Sequence, residues 1–174
     1  IVEDDISVIN VLEDIIESNE LGTVCGNSGG ETANPMEVAR LNPDVVLIDF
    51  LMPEKDGIQF VRELKAAGST ARCIMISQVA AKDLIGKAYS AGIDFFISKP
   101  INIIEVKSVI KNVERQIQNE RTLSNIRRMF MAEMNEVPKE KQKNDAYVKK
   151  LQLILNRIGM SGEKGCDDII KICQ

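Results

Sequence analysis

Apolar residues follow two alternating patterns along the first hundred residues. Short continuous apolar runs, such as 45–48 and 73–76, predict strands buried on both faces. Between them, apolar residues recur every three or four positions, as amphipathic helices require. The predicted strands are the opening segment IVEDD, 23–25, 45–49, 72–77 and 94–98, and the predicted helices are 6–19, 32–41, 58–67, 80–91 and one after Pro100. The alternation predicts an α/β fold, a five-stranded parallel sheet with helices on both faces.

The pattern changes after Lys99-Pro100. After this point, apolar residues recur at alternating intervals of three and four residues and form a stripe, as in a coiled-coil seam. From Leu123 the stripe resumes one residue out of phase, which predicts a local unwinding or a break between two helices. The stripe consists of Ile103, Val106, Ile110, Val113 and Ile117, followed by Leu123, Ile126, Phe130 and Met134. Residues 117–135 are therefore either the end of a last domain helix followed by a linker, or part of a dimerising helix that passes a signal onward.

Residues 139–174 predict the start of a helical output domain. A lysine-rich stretch at 139–144 precedes a stripe formed by Tyr147, Leu151, Ile154 and Ile158, and a Gly-containing turn leads to a second helix from Cys166 or Asp167. Such a pair is compatible with a helix-turn-helix, although helical hairpins also occur in proteins that bind no DNA. We expect a domain at 1–118, a connecting helix or linker at 119–138, and an output domain at 139–174. Both ends interrupt apolar patterns, so we expect them to be truncated.

The amino-acid composition excludes several classes of catalytic site. The chain has no histidine, which excludes Ser-His-Asp and Cys-His catalysis and places any phosphohistidine on another protein. The four cysteines form no CxxC pair. No apolar run reaches the ~18 residues of a membrane span, so we expect a cytoplasmic protein. Residues 1–119 carry 11 Lys and Arg against 18 Asp and Glu, whereas residues 120–174 carry 11 against 8, which favours an acidic regulatory part and a basic part able to meet nucleic acid.

Charged residues follow three of the predicted strands. Asp4 and Asp5 end the first strand, Asp49 ends the apolar run of 45–48, and Lys99 follows the last strand. The carboxyl ends of parallel strands meet at one edge of a sheet, where such folds bind ligands. Clustered carboxylates favour a hard cation such as Mg²⁺. A metal and an ammonium group together can neutralise a transferring phosphoryl group, with an aspartate as nucleophile. Asp5 could instead only cap the first helix.

These elements together resemble a known family. The segments IVEDD, DxLMPxxDG from Asp49 to Gly57, the hydroxyl residue Ser77 and Lys99-Pro100 stand in the order and spacing of receiver domains of two-component response regulators. The resemblance covers residues 1 to about 118. It implies the flavodoxin-like (CheY-like) fold, a sensor histidine kinase as partner, and a phosphoacceptor rather than an enzyme, with autophosphatase activity at most.

The resemblance also implies roles for individual residues. Asp49 is the expected phosphoacceptor, and Asp5, Asp49 and the backbone carbonyl of Leu51 are expected to bind Mg²⁺, with Asp4 acting largely through a bound water. Lys99 is expected to pair with the phosphoryl oxygens. Ser77 would bond to the phosphoryl group and vacate space into which the aromatic switch residue Phe96 can turn. Taken alone, Ser77 could simply end a strand, and Phe96 could simply belong to the core.

The region after Lys99 resembles a rarer group. PINIIEVKSVIKNVER, at 100–115, and LNRIGMSGEKGCDDIIKI, at 155–172, are similar to response regulators with a glutamine-responsive output region of the YcbB/GlnL type, which act in transcription. This resemblance implies a DNA target. The coiled-coil spacing predicts a homodimer, formed through residues 103–135 or through the receiver face. Two alternatives stay open: an RNA-binding antiterminator, and an aspartate-nucleophile phosphatase. Such phosphatases usually carry a second Asp two residues after the nucleophile, where this chain has Leu51.

Overall fold

Three parallel strands form the centre of the sheet. The computed structural model describes residues 1–29, 32–53, 55–79, 81–135 and Leu153. The strands are β1 (Val45–Asp49), β2 (Arg72–Ser77) and β3 (Phe95–Ser98), in the order β1-β2-β3. Asp49 lies opposite Ile76, and Ser77 lies opposite Ser98. All three strands therefore end at the same edge.

The opening segment extends this sheet by single bridges. Val2 forms parallel bridges to Ile48 on one side and to Ser28 on the other. The Val2 N–H donates to the Leu47 carbonyl over 2.8 Å, and the Asp49 N–H donates to the Val2 carbonyl over the same distance. The order across the sheet is thus Ser28, Val2, β1, β2, β3, the 2-1-3-4-5 order of flavodoxin-like folds. The predicted fold class is confirmed.

The predicted strand at 23–25 is wrong. Those residues have no strand structure, and the pairing residue is Ser28, whose N–H donates to the Ile1 carbonyl over 2.9 Å. Val24 is half-buried against the core, while Thr23 and Cys25 are exposed. The segment is held by the packing of Val24, which stands between two glycines. The apolar pattern therefore placed the backbone pairing three residues too early.

Helices cover both faces of the sheet. They are α1 (Ile6–Ser18), α2 (Pro35–Leu41), α3 (Gly57–Ala66), α4 (Lys82–Ala91) and α5 (Ile103–Asn135). Side chains of alternate strand residues enter two separate cores. Val46, Ile48, Cys73 and Met75 pack with Phe60 and Leu64 of α3, and Leu47, Ile74, Ile76 and Ile97 pack with Leu12 of α1 and Val106 and Val113 of α5.

Side-chain caps explain where three helices begin. Asp5 caps α1, Asn34 caps α2 and Asp56 caps α3, each accepting a hydrogen bond from a backbone N–H of the first turn. The second helix was predicted to begin at 32, but it begins at Pro35, because Asn34 takes the capping position and proline suits the first helical position. The remaining helix boundaries differ from the predicted ones by two residues or fewer.

The last described helix, α5, is continuous over 33 residues. The unwinding or break predicted from the slipped stripe is absent between Ile103 and Asn135. Neither glycine nor proline occurs in this range, so the slip only moves the apolar residues to another face of the helix. None of the described helices, α5 included, has the length and apolar character needed to cross a lipid bilayer.

The chain divides into two compact units, 1–126 and 127–174. The first unit contains the sheet and every predicted site residue. The domain limits predicted at 118 and 138 stay predictions. The helical hairpin predicted within 139–174, including Tyr147 and Cys166, lies outside the described residues.

Candidate functional site

Asp49 is a buried carboxylate at the end of the central strand β1. It is 4% exposed, and its backbone N–H is bonded to the Val2 carbonyl. The next residue, Phe50, donates its N–H to the Ile76 carbonyl of β2 over 2.9 Å. The backbone around Asp49 is therefore fixed from both neighbouring strands, which holds the carboxylate at the edge where the strands end.

Lys99 brings the opposite charge to this edge. It follows β3, and its backbone N–H donates to the Ser77 carbonyl over 2.8 Å. Its ammonium nitrogen lies 2.9 Å from Asp49 Oδ1 and 2.8 Å from Glu3 Oε2. The side chains of Glu3 and Asp49 are 1% and 5% exposed, and that of Lys99 is 11% exposed. One ammonium group thus serves two buried carboxylates.

Three acidic residues form a cluster that could hold a metal ion. Carboxylate oxygens of Glu3, Asp4 and Asp49 all lie within 4.8 Å of one another. Glu3 and Asp49 are buried, and Asp4 is exposed. We call these three residues the acid cluster. It opens to solvent on the side of Asp4, where a cation or a phosphoryl group can approach.

The structure does not bring Asp5 into the acid cluster. Asp5 is exposed, and its Oδ1 accepts a hydrogen bond from the Ser7 N–H over 2.8 Å, so the side chain caps α1. This hydrogen bond lowers the pKa of Asp5. The structure therefore places Glu3, which sequence reasoning missed, beside Asp4 and Asp49 in the position predicted for Asp5, and the metal ligands themselves stay a prediction. The signal was available: if Asp5 caps the helix beginning at Ile6, the strand must end one residue earlier.

Burial raises the pKa of both buried carboxyls. The pKa of Glu3 rises above its ordinary value of 4.5 because of desolvation, and the charge of Asp49 adds to the rise while Lys99 opposes it. Desolvation likewise raises the pKa of Asp49 above 3.8, with Asp4 adding to the rise and Lys99 again opposing it. Burial alone would lower the pKa of Lys99, but its contacts with Glu3 and Asp49 outweigh that effect and raise it. The single ammonium group compensates the site incompletely.

The residues of the acid cluster fit a hard divalent cation. Glu3 Oε2 is fully buried and accepts no hydrogen bond of normal geometry from any described residue, although the Lys99 ammonium is in ion-pair contact with it. Because Lys99 also contacts Asp49, one ammonium group stands against three carboxylates, and a divalent cation would neutralise the remaining negative charge. The available ligand atoms are all oxygens, and at least one ligand is open to water, as Mg²⁺ prefers.

The two predicted switch residues occupy the places that the sequence suggested. Ser77 is 1% exposed at the end of β2, and its hydroxyl accepts a hydrogen bond from the Val79 N–H over 2.9 Å. Phe96 of β3 is half-buried and packs against the α3 side of the core. Leu51, whose backbone carbonyl was predicted as a ligand, exposes 55% of its surface. The roles of these three residues stay predictions.

Gly57 sets the shape of the loop that follows Asp49. A Cβ atom at this position would lie 2.3 Å from the Asp49 backbone carbonyl oxygen, a distance that no side chain tolerates. The Gly57 N–H donates to the Phe50 carbonyl over 2.9 Å, and the next helix starts there. The glycine in DxLMPxxDG is therefore required by close packing against the Asp49 backbone.

A cavity of about 420 Å³ lies at the other end of the sheet. It is bordered by α1, α5 and the segment 21–26, and no member of the acid cluster lines it. The acid cluster lies apart from this cavity, at the edge where the strands end, with Asp4 exposed to solvent. Such a site suits a small, strongly charged group better than a large organic ligand.

Comparison with known proteins decides the family. The family model for the response regulator receiver domain matches residues 1–111. The chain belongs to the response regulator receiver family. The transcriptional regulatory protein GlnL of Bacillus subtilis is 35% identical across the whole of this chain, which spans only 57% of that protein. The chemotaxis protein CheY of Halobacterium salinarum is 29% identical over 65% of this chain and 92% of that protein.

Solved structures of receiver domains share the fold. A CheY from Borrelia burgdorferi, crystallised with CheX, BeF₃ and Mg²⁺, matches 64% of this chain and 84% of that one with a TM-score of 0.57 at 27% identity. The receiver domain of AraT from Geobacillus stearothermophilus matches 69% of this chain and 95% of that one with a TM-score of 0.59 at 22% identity. Receiver domains take phosphoryl groups from sensor histidine kinases, bind Mg²⁺ at an acidic pocket, and are in general phosphoacceptors rather than enzymes.

Proposed function

We propose that this receiver accepts a phosphoryl group on Asp49 and thereby controls a helical output region in transcription. The observation that carries the proposal is the contact of Lys99 with both Asp49 and Glu3 beside the open carboxylate of Asp4. In this proposal Glu3, Asp4 and Asp49 hold Mg²⁺, together with the Leu51 backbone carbonyl. Mg²⁺ would neutralise charge on the incoming phosphoryl oxygens.

The chemical step uses groups of this chain and of a donor. A carboxylate oxygen of Asp49 attacks phosphorus, and the bond between phosphorus and the donor atom breaks. In a kinase the donor atom is a histidine nitrogen. The donor nitrogen keeps the bonding electron pair, and the leaving group is neutral imidazole when the other ring nitrogen carries a proton before the transfer. Lys99, already 2.9 Å from Asp49, stays charged and pairs with a phosphoryl oxygen. Because this chain has no histidine, the donor must be another molecule.

The phosphorylated aspartate would then act on Ser77 and Phe96. Phosphorylation adds about −1.5 to −2 charge and three strong acceptor oxygens. The Ser77 hydroxyl, which accepts a bond from Val79 in this structure, can turn to donate to a phosphoryl oxygen. Half-buried Phe96 can turn into the space that Ser77 leaves, which changes the surface between α4 and β3. Phosphorylation shifts a balance between two such arrangements.

Intact-mass measurement tests the acceptor. The chain is incubated with Mg²⁺ and acetyl phosphate beside Asp49→Asn and Asp56→Asn. We expect a labile gain of one phosphoryl group in the wild type and in Asp56→Asn, and no gain in Asp49→Asn. Asp56 is a matched control, because it is an aspartate of the same loop whose side chain caps α3. Undiminished labelling of Asp49→Asn would contradict the assignment, and so would an unlabelled but folded wild type.

The likeness to GlnL over the whole chain supports DNA as the target of the output region. Random pools of duplex DNA and of folded RNA, presented to the phosphorylated chain, would distinguish transcriptional regulation from antitermination. Enrichment from the duplex pool is the expected result, and enrichment from the RNA pool alone would contradict it.

Self-association through α5 is the second part of the proposed output mechanism. Leu123, Met129 and Met131 of α5 expose 65%, 61% and 51% of their surface. Burying such residues between two copies would contribute about 25 cal/mol per Å². Leu123→Glu should therefore abolish dimers in sedimentation, whereas Met36→Glu, at an exposed position of α2, should leave them intact. A wild-type monomer before and after phosphorylation would contradict this part alone.

A further inference from the structure

Apolar packing of α5 on the sheet ends at Ile117. This residue is the last in α5 that packs against the apolar cluster on its face of the sheet. The helix nevertheless continues without interruption to Asn135. The next two charged residues, Glu120 and Arg121, stand about one turn further on. Both of them contact the edge where the strands begin, which is opposite to the acid cluster.

Arg72 is the centre of these contacts. It is the first residue of β2, and its Nη1 donates to Asp94 Oδ1 over 2.7 Å. Its other terminal nitrogen is paired with Glu120 of α5. Asp94 is itself held in place, because its Oδ2 accepts the Cys73 N–H over 2.8 Å. The side chains of Arg72 and Asp94 are only 26% and 15% exposed, and the carboxylates of Asp94 and Glu120 raise the pKa of Arg72.

Arg121 makes the second contact. Its guanidinium is paired with Asp44, which directly precedes β1. The two contacts are neighbours on the sheet, because the Arg72 N–H donates to the Asp44 carbonyl over 2.9 Å. The sheet thus presents a cation and an anion side by side. The helix presents an anion and a cation at consecutive positions, with the signs matched.

We propose that these five residues, Asp44, Arg72, Asp94, Glu120 and Arg121, form an anchor that fixes the axial rotation of α5 beyond its apolar contacts. Consecutive helical residues differ by about 100° in direction. Rolling or sliding α5 by one residue would bring Arg121 towards Arg72 or Glu120 towards Asp44. Such like-charge approaches disfavour the wrong register, while the matched pairs favour the observed one.

The anchor gives α5 a defined register where it leaves the sheet. Apolar contacts are not directional, so an apolar stripe tolerates small rotations of the helix. Paired opposite charges tolerate such rotations less, because the rotation separates the partners. If the proposed function holds, a phosphorylation-dependent movement of α5 must either carry the anchor with it or break it. The anchor itself does not depend on phosphorylation, so it can be tested on the unmodified chain.

Amide hydrogen exchange over residues 118–126 of the full chain tests the anchor. Arg121→Glu places a like charge beside Asp44 and should accelerate exchange there by roughly two- to fivefold, the range expected for exposed ion pairs. The swapped pair, Arg121→Glu with Asp44→Arg, should restore the wild-type rate. Raising the salt to 1 M should reduce the effect, since the Debye length falls to about 3 Å.

Arg115→Glu is the matched control. It makes the same change of charge on α5, but Arg115 is bonded to Asn112 of its own helix. This variant should leave exchange over 118–126 at the wild-type rate. The proposal is overturned if Arg121→Glu behaves like Arg115→Glu, or if the swapped pair exchanges as fast as the single variant. Both outcomes are independent of whether Asp49 accepts a phosphoryl group.

Discussion

The two edges of the sheet gather charged side chains in opposite ways. Where the strands end, Glu3 and Asp49 are almost fully buried and share one ammonium group. Where the strands begin, Asp44 and Arg121 keep more than half of their side-chain surfaces exposed and pair with each other, while Arg72 pairs with both Asp94 and Glu120. The first edge has three carboxylates against one cation, whereas at the second edge every charge has an opposite charge beside it.

This difference indicates that the acid cluster is suited to binding a ligand and that the opposite edge is suited to positioning α5. Buried carboxylates that are incompletely compensated cost stability, and they favour binding of a cation that neutralises the excess negative charge. Exposed, fully paired charges contribute little to stability, but they specify one register over its neighbours. We therefore expect substitutions at the acid cluster to have large effects that depend on Mg²⁺ and pH. Substitutions at the opposite edge should have small effects that depend on salt.

Removing the shared cation should have the largest effect. Lys99→Ala leaves Glu3 and Asp49 buried without their ammonium group, so the free energy of unfolding should fall by about 3–5 kcal/mol in the absence of Mg²⁺. Urea unfolding measures this loss. Mg²⁺ should still bind and restore part of the stability, because it replaces the missing positive charge, while the phosphorylation-induced change should weaken.

Lys55→Ala is the control for this prediction. Lys55 also forms an ion pair, with Glu63, but the two side chains are 27% and 41% exposed. Its loss should cost less than about 1 kcal/mol. Equal effects of the two substitutions would show that burial does not distinguish the acid cluster. An unaltered response to phosphorylation in Lys99→Ala would show that the lysine is only structural.

A pH series should reveal the next effect. Because burial raises the pKa of Asp49 above 3.8, its protonated form is favoured in the folded state, and its contribution to stability is lost as pH rises from 3.8 through the raised pKa. In the absence of divalent cations, the stability advantage of Asp49→Asn over the wild type should therefore grow as pH rises from 3.8 through the raised pKa of Asp49. Urea unfolding at each pH gives this difference. A difference independent of pH would contradict the burial argument, and saturating Mg²⁺ should shrink it.

The sequence predicted the central strands far better than the pairing at the edge of the sheet or the continuity of α5. The apolar runs of β1 and β2 are long and buried on both faces, so periodicity located them to the residue. The edge strand at 23–25 failed because only Val24 is anchored there. The break in α5 failed because a slipped stripe does not disrupt a backbone that lacks glycine and proline.

At the acid cluster, the prediction from sequence differed from the structure by one residue. Asp49 directly follows the apolar run of β1, and Lys99 follows Ser98 and precedes Pro100, so the sequence located both strand ends. The first strand is short and is followed by three acids in a row, so the sequence did not show which two face the site. Helix capping decides this in the structure, because Asp5 caps α1 and Glu3 and Asp4 remain beside Asp49.

Magnesium titration should separate Glu3 from Asp5. Glu3→Gln should weaken Mg²⁺ binding by at least about tenfold, since even groups outside the first coordination layer can contribute that much. Asp5→Asn should leave the affinity nearly unchanged, because asparagine caps a helix as well as aspartate does. Calorimetric titration of both variants decides between them. A larger loss in Asp5→Asn would return Asp5 to the ligand set and remove Glu3.

Salt should expose the smallest effect, at the edge opposite the acid cluster. Arg121→Gln removes an exposed ion pair with Asp44, so the free energy of unfolding should fall by less than about 1 kcal/mol at low salt. The loss should vanish at 1 M NaCl, where the Debye length is about 3 Å. The cost of Lys99→Ala should persist at that salt, because buried pairs are screened much less. Urea unfolding of both variants at two salt concentrations makes the comparison. A salt-independent loss in Arg121→Gln would mean that the side chain acts through packing, and the charge-matching explanation of the α5 register would then lose its basis.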